Sequence, residues 1–91
     1  MEEKQIQIRA ENEKLAGAYT NLMTIRHTKE EFCLDFINSF DPPILVSRVL
    51  TSPGHFKRMV RAMEDNLKKY EAQFGEIEIA EAPKASMGFT K

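Results

Sequence analysis

The sequence predicts an α+β domain: an antiparallel three- to four-stranded β-meander, followed by one long C-terminal amphipathic helix and completed by oligomerisation. Three observations predict it. Within residues 53–74, Phe56, Met59, Val60, Met63, Leu67, Tyr70 and Phe74 recur every three or four positions, which keeps them on one side of an α-helix. Upstream, residues 18–28, 31–40 and 44–51 are rich in β-branched, aromatic and aliphatic residues and are separated by turn formers. Apolar residues also occur on both faces of those strands, whereas a single helix covers only one.

The elements follow in order. Residues 1–16 are charged apart from Gln5-Ile6-Gln7-Ile8-Arg9, and form an N-terminal arm with one candidate strand. Gly17 opens the next segment, and Ala18 to Thr28 contains no proline and reads as a strand. Thr28-Lys29-Glu30 supplies a turn. From Glu31 to Phe40 the residues alternate, with Phe32, Leu34 and Phe36 on one face and Cys33, Asp35 and Ile37 on the other. Helical spacing of Phe32, Phe36, Ile37 and Phe40 is the rival reading; the strand is preferred because its neighbours are β-rich and a short turn closes a hairpin.

Asp41-Pro42-Pro43 ends that element. Ile44 to Thr51 is the clearest strand, expected to set Leu45 and Val49 on one side and Val46 and Leu50 on the other. Ser52 is positioned to cap the helix, Pro53 occupies the first helical position without losing a needed donor, and Gly75 stops it. Opposite charges four residues apart, Arg61 with Asp65, Glu64 with Lys68 and Asp65 with Lys69, describe a solvated outer face. Residues 17–75 thus form the folded domain. Residues 76–91 form a flexible tail with a second candidate strand at Glu76-Ile77-Glu78-Ile79.

The totals narrow the function classes. Thirteen Lys and Arg against fourteen Asp and Glu advertise neither nucleic acid nor an anionic surface by bulk charge. The longest apolar run, Ile44-Leu45-Val46, is far too short to cross a bilayer, and the first residues lack the apolar stretch of a signal peptide. A lone cysteine, Cys33, forms no intrachain disulfide, so a cytoplasmic setting is expected.

A folded core near 60 residues buries only about 60% of its unfolded surface. Three strands and one helix leave a sheet face uncovered, and the chain has no second long helix to cover it. A second subunit, most simply in a two-fold dimer, is the economical source of the missing layer. The expected interface is the face carrying Asp35, Ile37, Val46, Arg48 and Leu50. Asp35 and Arg48 are charges inside apolar strands. They form either a solvent-facing pair or, in the preferred reading, a buried or interfacial pair that fixes subunit register.

Little points to chemistry. Cys33 lies in a strand, away from any helix N-terminus that would activate its thiol, and is best read as a small apolar residue. His27, Cys33 and His55 lack the paired short spacings of zinc sites, and no phosphate loop or nucleophile elbow is present. His55, the third helical residue, is expected to close the cap by bonding back to Ser52 as a neutral imidazole. Met59 and Met63 are read as core rather than as a peptide groove. Lys57, Arg58, Arg61, Lys68 and Lys69 are the candidate phosphate contacts, interrupted by Glu64, Asp65 and Glu71.

Five stretches appear in a recognisable order: Tyr19-Thr20-Asn21; Glu31-Phe32-Cys33-Leu34-Asp35-Phe36; Val46-Ser47-Arg48-Val49; Ser52-Pro53 with His55 and Lys57-Arg58; and Asn66-Leu67-Lys68-Lys69-Tyr70-Glu71 with Phe74-Gly75-Glu76-Ile77. Over residues 17–77 this resembles the small prokaryotic family called domain of unknown function 3467, in its Bacteroides-like form. The resemblance implies no activity, cofactor or catalytic residue. Gly54 stands where family members usually carry an acidic residue, which implies a less stable helix start.

The expected role is therefore a non-enzymatic, homo-oligomeric binding or scaffold module without a cofactor or metal, with no membrane partner. The alternative is a nucleic-acid-associated regulator using the basic side of the helix.

Overall fold

The computed structural model describes residues 3–81 and 86–91 of the chain. The elements run α1 (Asn12–Ala16), β1 (Leu22–His27), β2 (Phe32–Asn38), β3 (Ile44–Thr51) and α2 (Pro53–Phe74). The three strands form one antiparallel sheet in the order β1-β2-β3, so β2 is central and the connections are those of a meander. The rival helical reading of residues 31–40 is thereby excluded.

Local chemistry sets each boundary. Thr28 turns the first hairpin: its N–H donates to the Glu31 carbonyl at 2.9 Å, and its Oγ1 accepts the N–H groups of Glu30 and Glu31 at 3.2 Å each. Ser52 caps α2 by accepting the His55 N–H at 3.3 Å. Gly75 ends the helix at φ +97°, a conformation that L side chains disfavour, and its N–H donates to the Glu71 carbonyl at 2.9 Å. The bounds of β3 and α2 coincide with the sequence expectation.

Three expectations are corrected. β1 begins at Leu22 rather than Ala18, because side chains tie down the residues before it. Thr20 Oγ1 donates to the Ile37 carbonyl at 2.8 Å, and Asn21 Oδ1 accepts the Ser39 N–H at 2.9 Å. Residues 5–9 form no strand; the ordered part of the arm is instead the single turn of α1. Residues 77–79 form none either; the Ile77 N–H donates instead to Glu71 Oε2 at 2.9 Å. Within the expected tail, Ser86 to Phe89 line a cavity together with residues of the sheet. Residues 1–2 and 82–85, parts of the expected arm and tail, lie outside the described residues.

Strand pairing assigns the two sheet faces. One carries His27/Phe32/Thr51, Ile25/Leu34/Val49 and Met23/Phe36/Ser47. The other carries Arg26/Cys33/Leu50, Thr24/Asp35/Arg48 and Leu22/Ile37/Leu45. The register shifts between Phe36 and Ile37, where β3 passes from Ser47 to Leu45 and Val46 has no partner. This bulge moves Leu45 onto the Leu50 face, away from Val49 where simple alternation puts it.

Helix α2 meets the first face at one end. The Phe56 ring stacks on Phe32 with centroids 4.0 Å apart and planes within 7° of parallel, and His27 flanks Phe32 at 5.4 Å. Phe56 and Met59 are half-buried, but no residue of α2 is fully buried. The expectation that the helix stripe is buried within the protomer is therefore corrected. The described buried residues are Leu34, Asp35 and Ile37, all on β2. The result is an elongated molecule, with a radius of gyration of 16.3 Å, where a compact chain of this length gives about 12 Å.

Candidate functional site

Two surfaces stand out: the charged centre of the sheet face opposite the helix, and the bare apolar side of α2. The first is built on β2. Asp35 faces Arg48 across the β2–β3 pair and Thr24 across the β1–β2 pair. Its carboxylate is fully buried. Arg48 grips it with both ends of the guanidinium, Nε donating to Oδ1 at 2.6 Å and a terminal nitrogen to Oδ2 at 3.1 Å. Arg26 reaches Oδ2 at 3.6 Å from β1. The Cys33 thiol points to Oδ1 at 3.7 Å and accepts from Arg26 at 3.4 Å. One carboxylate thus ties all three strands together.

Electrostatics follow from that geometry. The Arg48 hydrogen bonds hold the Asp35 carboxyl below its ordinary value of 3.8; burial opposes the shift, and the charges of Arg48 and Arg26 and the Cys33 hydrogen bond reinforce it. Asp35 in turn holds the Arg48 proton more firmly than water does. The pair is a buried carboxylate carrying half-exposed guanidinium groups, and its partners lie within one protomer.

The same face has an apolar end. A cavity of about 490 Å³ is lined by Leu22, Ile37, Pro43 and Leu45 from the sheet side, and by Met87 and Phe89 from the C-terminal segment. Phe89 also places its ring 5.4 Å from the Arg48 guanidinium carbon, within cation–π range. Of the five residues expected at an interface, Asp35 and Ile37 are already buried in the protomer, Val46 is half-buried at the bulge, and Arg48 and Leu50 remain exposed. The structure brings Asp35, Ile37, Arg48 and Leu50 to one face. The reach of Arg26 to Asp35 and the return of Phe89 to Arg48 had no signal in the sequence beyond the residue types.

On α2, Val60, Met63, Leu67, Tyr70 and Phe74 are all exposed, and the Tyr70 and Phe74 rings touch at 5.0 Å. The five candidate phosphate contacts, Lys57, Arg58, Arg61, Lys68 and Lys69, are exposed as well. A 3.6-residue repeat sets Arg58, Arg61, Lys68 and Lys69 on the side away from the apolar stripe with Asp65 among them, whereas Glu64 and Glu71 border the stripe. His55 does not cap through its ring. Its backbone N–H bonds to Ser52, and its Nδ1 lies 3.1 Å from an Arg58 nitrogen, which can only donate, so Nδ1 accepts.

Among the described residues, no three His, Cys, Asp or Glu side chains gather as a metal site, and no helix is long and apolar enough to cross a membrane. No curated protein and no solved structure matches the chain. A family model described as a protein of unknown function, DUF3467, matches residues 1–79, the arm, sheet and helix together. The chain belongs to the DUF3467 family.

Proposed function

We propose that this protein is a non-enzymatic, homo-oligomeric binding or scaffold module of the cytoplasm, whose working surface is completed by association of its own copies. The observation that carries this reading is the wet surface of the protomer. It exposes 9071 Å², whereas a compact monomer of 10.5 kDa exposes about 5,400 Å². The N-terminal arm accounts for part of the excess, with Ile6, Ile8 and Leu15 exposed. A 22-residue helix without a buried residue, and a C-terminal segment with Ile77, Ile79, Met87 and Phe89 exposed, add to it. A stable protein interface needs only about 800 Å² from each partner. Light scattering on the purified chain tests the reading: a mass of two or more chains at micromolar concentration is expected, and a well-folded single chain of 10.5 kDa rejects it.

A second reading is favoured by one observation, the placement of Arg58, Arg61, Lys68 and Lys69 on a single outward side of α2 with Asp65 alone opposing them. That ridge suits a phosphate backbone. Nucleic-acid binding that weakens steeply with salt, and that fails when Arg61 and Lys68 become Glu, would support it; binding that ignores salt would dismiss it.

A further inference from the structure

We infer that α2 is one half of an antiparallel helix pair, and that its other half is α2 of a second copy of this chain. The inference rests on the self-association proposed above and specifies its geometry.

The side chains of α2 divide by surroundings. Phe56 is half-buried against the protomer's own sheet, and Met59 is half-buried too. Val60, Met63, Leu67, Tyr70 and Phe74 stay exposed, from 37% for Val60 to 66% for Phe74. From Phe56 onward these stripe positions advance by four, three, four, three and four residues. That is a heptad seam, narrower than the stripe of a helix lying on a sheet and matched in width to one partner helix. Asn66 and Gln73 border it on one side, and Lys57, Glu64 and Glu71 on the other.

The second copy fits this seam better than the opposite sheet face, because Ser86 to Phe89 already occupy the Leu22/Ile37/Leu45 end of that face and reach Arg48 at its charged centre. A two-fold axis level with Asp65 sets Met63 against the partner's Leu67, Val60 against the partner's Tyr70, and Phe56 against the partner's Phe74. Every seam position then meets a seam position. Lys57 lies toward the partner's Glu71, twice over by symmetry, while Glu64 approaches the partner's Glu64.

Orientation follows from where the sheet sits. Each sheet meets its helix at Phe56. Parallel helices bring both sheets to one end and leave the Phe74 ends facing each other in water. Antiparallel helices carry the partner's Tyr70 and Phe74 to the end of α2 that meets the sheet, whose same face exposes Met23, Ile25 and Val49. Each copy's helix tail thereby completes the other copy's core.

Cysteine cross-linking in the full-length chain, with Cys33→Ser to remove the native thiol, tests the arrangement after light scattering has given the mass. Mixing a Met63→Cys chain with a Leu67→Cys chain is expected to yield an interchain disulfide, and neither variant alone is expected to link to itself. Leu67→Glu, which places a charge in the seam, is expected to weaken the dimer by more than about tenfold, while the circular dichroism of the folded chain persists. Glu64→Gln is expected to tighten it. A dimer in which Met63→Cys and Leu67→Cys each self-link is parallel and overturns the inference. A dimer that shows no cross-link and tolerates Leu67→Glu also overturns it, while leaving self-association standing. A monomeric wild-type chain overturns both.

Discussion

β2 and α2 divide the protein into a finished half and an unfinished one. β2 has a neighbour on each edge and side chains above and below it, and it holds Leu34, Asp35 and Ile37, the described residues that are buried. α2 is three times as long and holds none. Both segments are amphipathic or better by sequence, so apolar content does not separate them. Position does: a central strand is covered by the elements that precede and follow it, whereas a terminal helix reaching past a three-stranded sheet outruns what it is packed on. Stability should therefore reside in β2, and assembly in α2.

The largest effect expected within the protomer is at Leu34. It is 1% exposed, between Ile25 and Val49 on the helix side of the sheet. Leu34→Ala removes the branched end of the side chain, Cγ and its two methyls, from a small core, and a loss of about 2–4 kcal/mol in urea unfolding is expected. A loss well under about 1 kcal/mol would mean that the sheet is as unfinished as the helix.

The ion pair comes next. Arg48→Met leaves the buried Asp35 carboxylate with Arg26 at 3.6 Å and the weak Cys33 thiol contact at 3.7 Å, and the melting temperature should fall at neutral pH. The pH dependence has a definite sign. The folded carboxyl titrates below 3.8, the ordinary value. On acidification the unfolded chain takes up its proton first. The stabilisation is thus complete above that value and is lost as pH falls through the lower, folded one. Asp35→Asn should flatten this part of the acid unfolding curve, and an unchanged curve would place the acid sensitivity elsewhere.

The contrast between the two halves also explains what could be read in the sequence. The bounds of β3 and α2 were legible because Pro42-Pro43, Ser52-Pro53 and Gly75 act locally, through donors they lack or a φ they permit. The Asp35–Arg48 partnership was legible as two charges in neighbouring apolar strands. The face of Leu45 was not, because the bulge at Val46 leaves no mark in residue type. Nor was the start of β1, where Thr20 and Asn21 side chains capture backbone groups that a strand would use. Periodicity marked the apolar side of α2 but carried no information about what lies against it. Membership of the DUF3467 family agrees with the resemblance seen in the ordered motifs and adds no chemistry to it.

The smallest effects separate two readings of one cap. Ser52 Oγ accepts the His55 backbone N–H, so the hydroxyl matters and the imidazole does not. Ser52→Ala is expected to cost about 1 kcal/mol. His55→Ala keeps the backbone donor and loses only an exposed contact between Nδ1 and Arg58, so a change within about 0.5 kcal/mol is expected. If His55→Ala instead costs as much as Ser52→Ala, the ring stabilises the helix start after all. The first turn of α2, where Phe56 stacks on Phe32, would then depend on a side chain that the geometry leaves outside the cap.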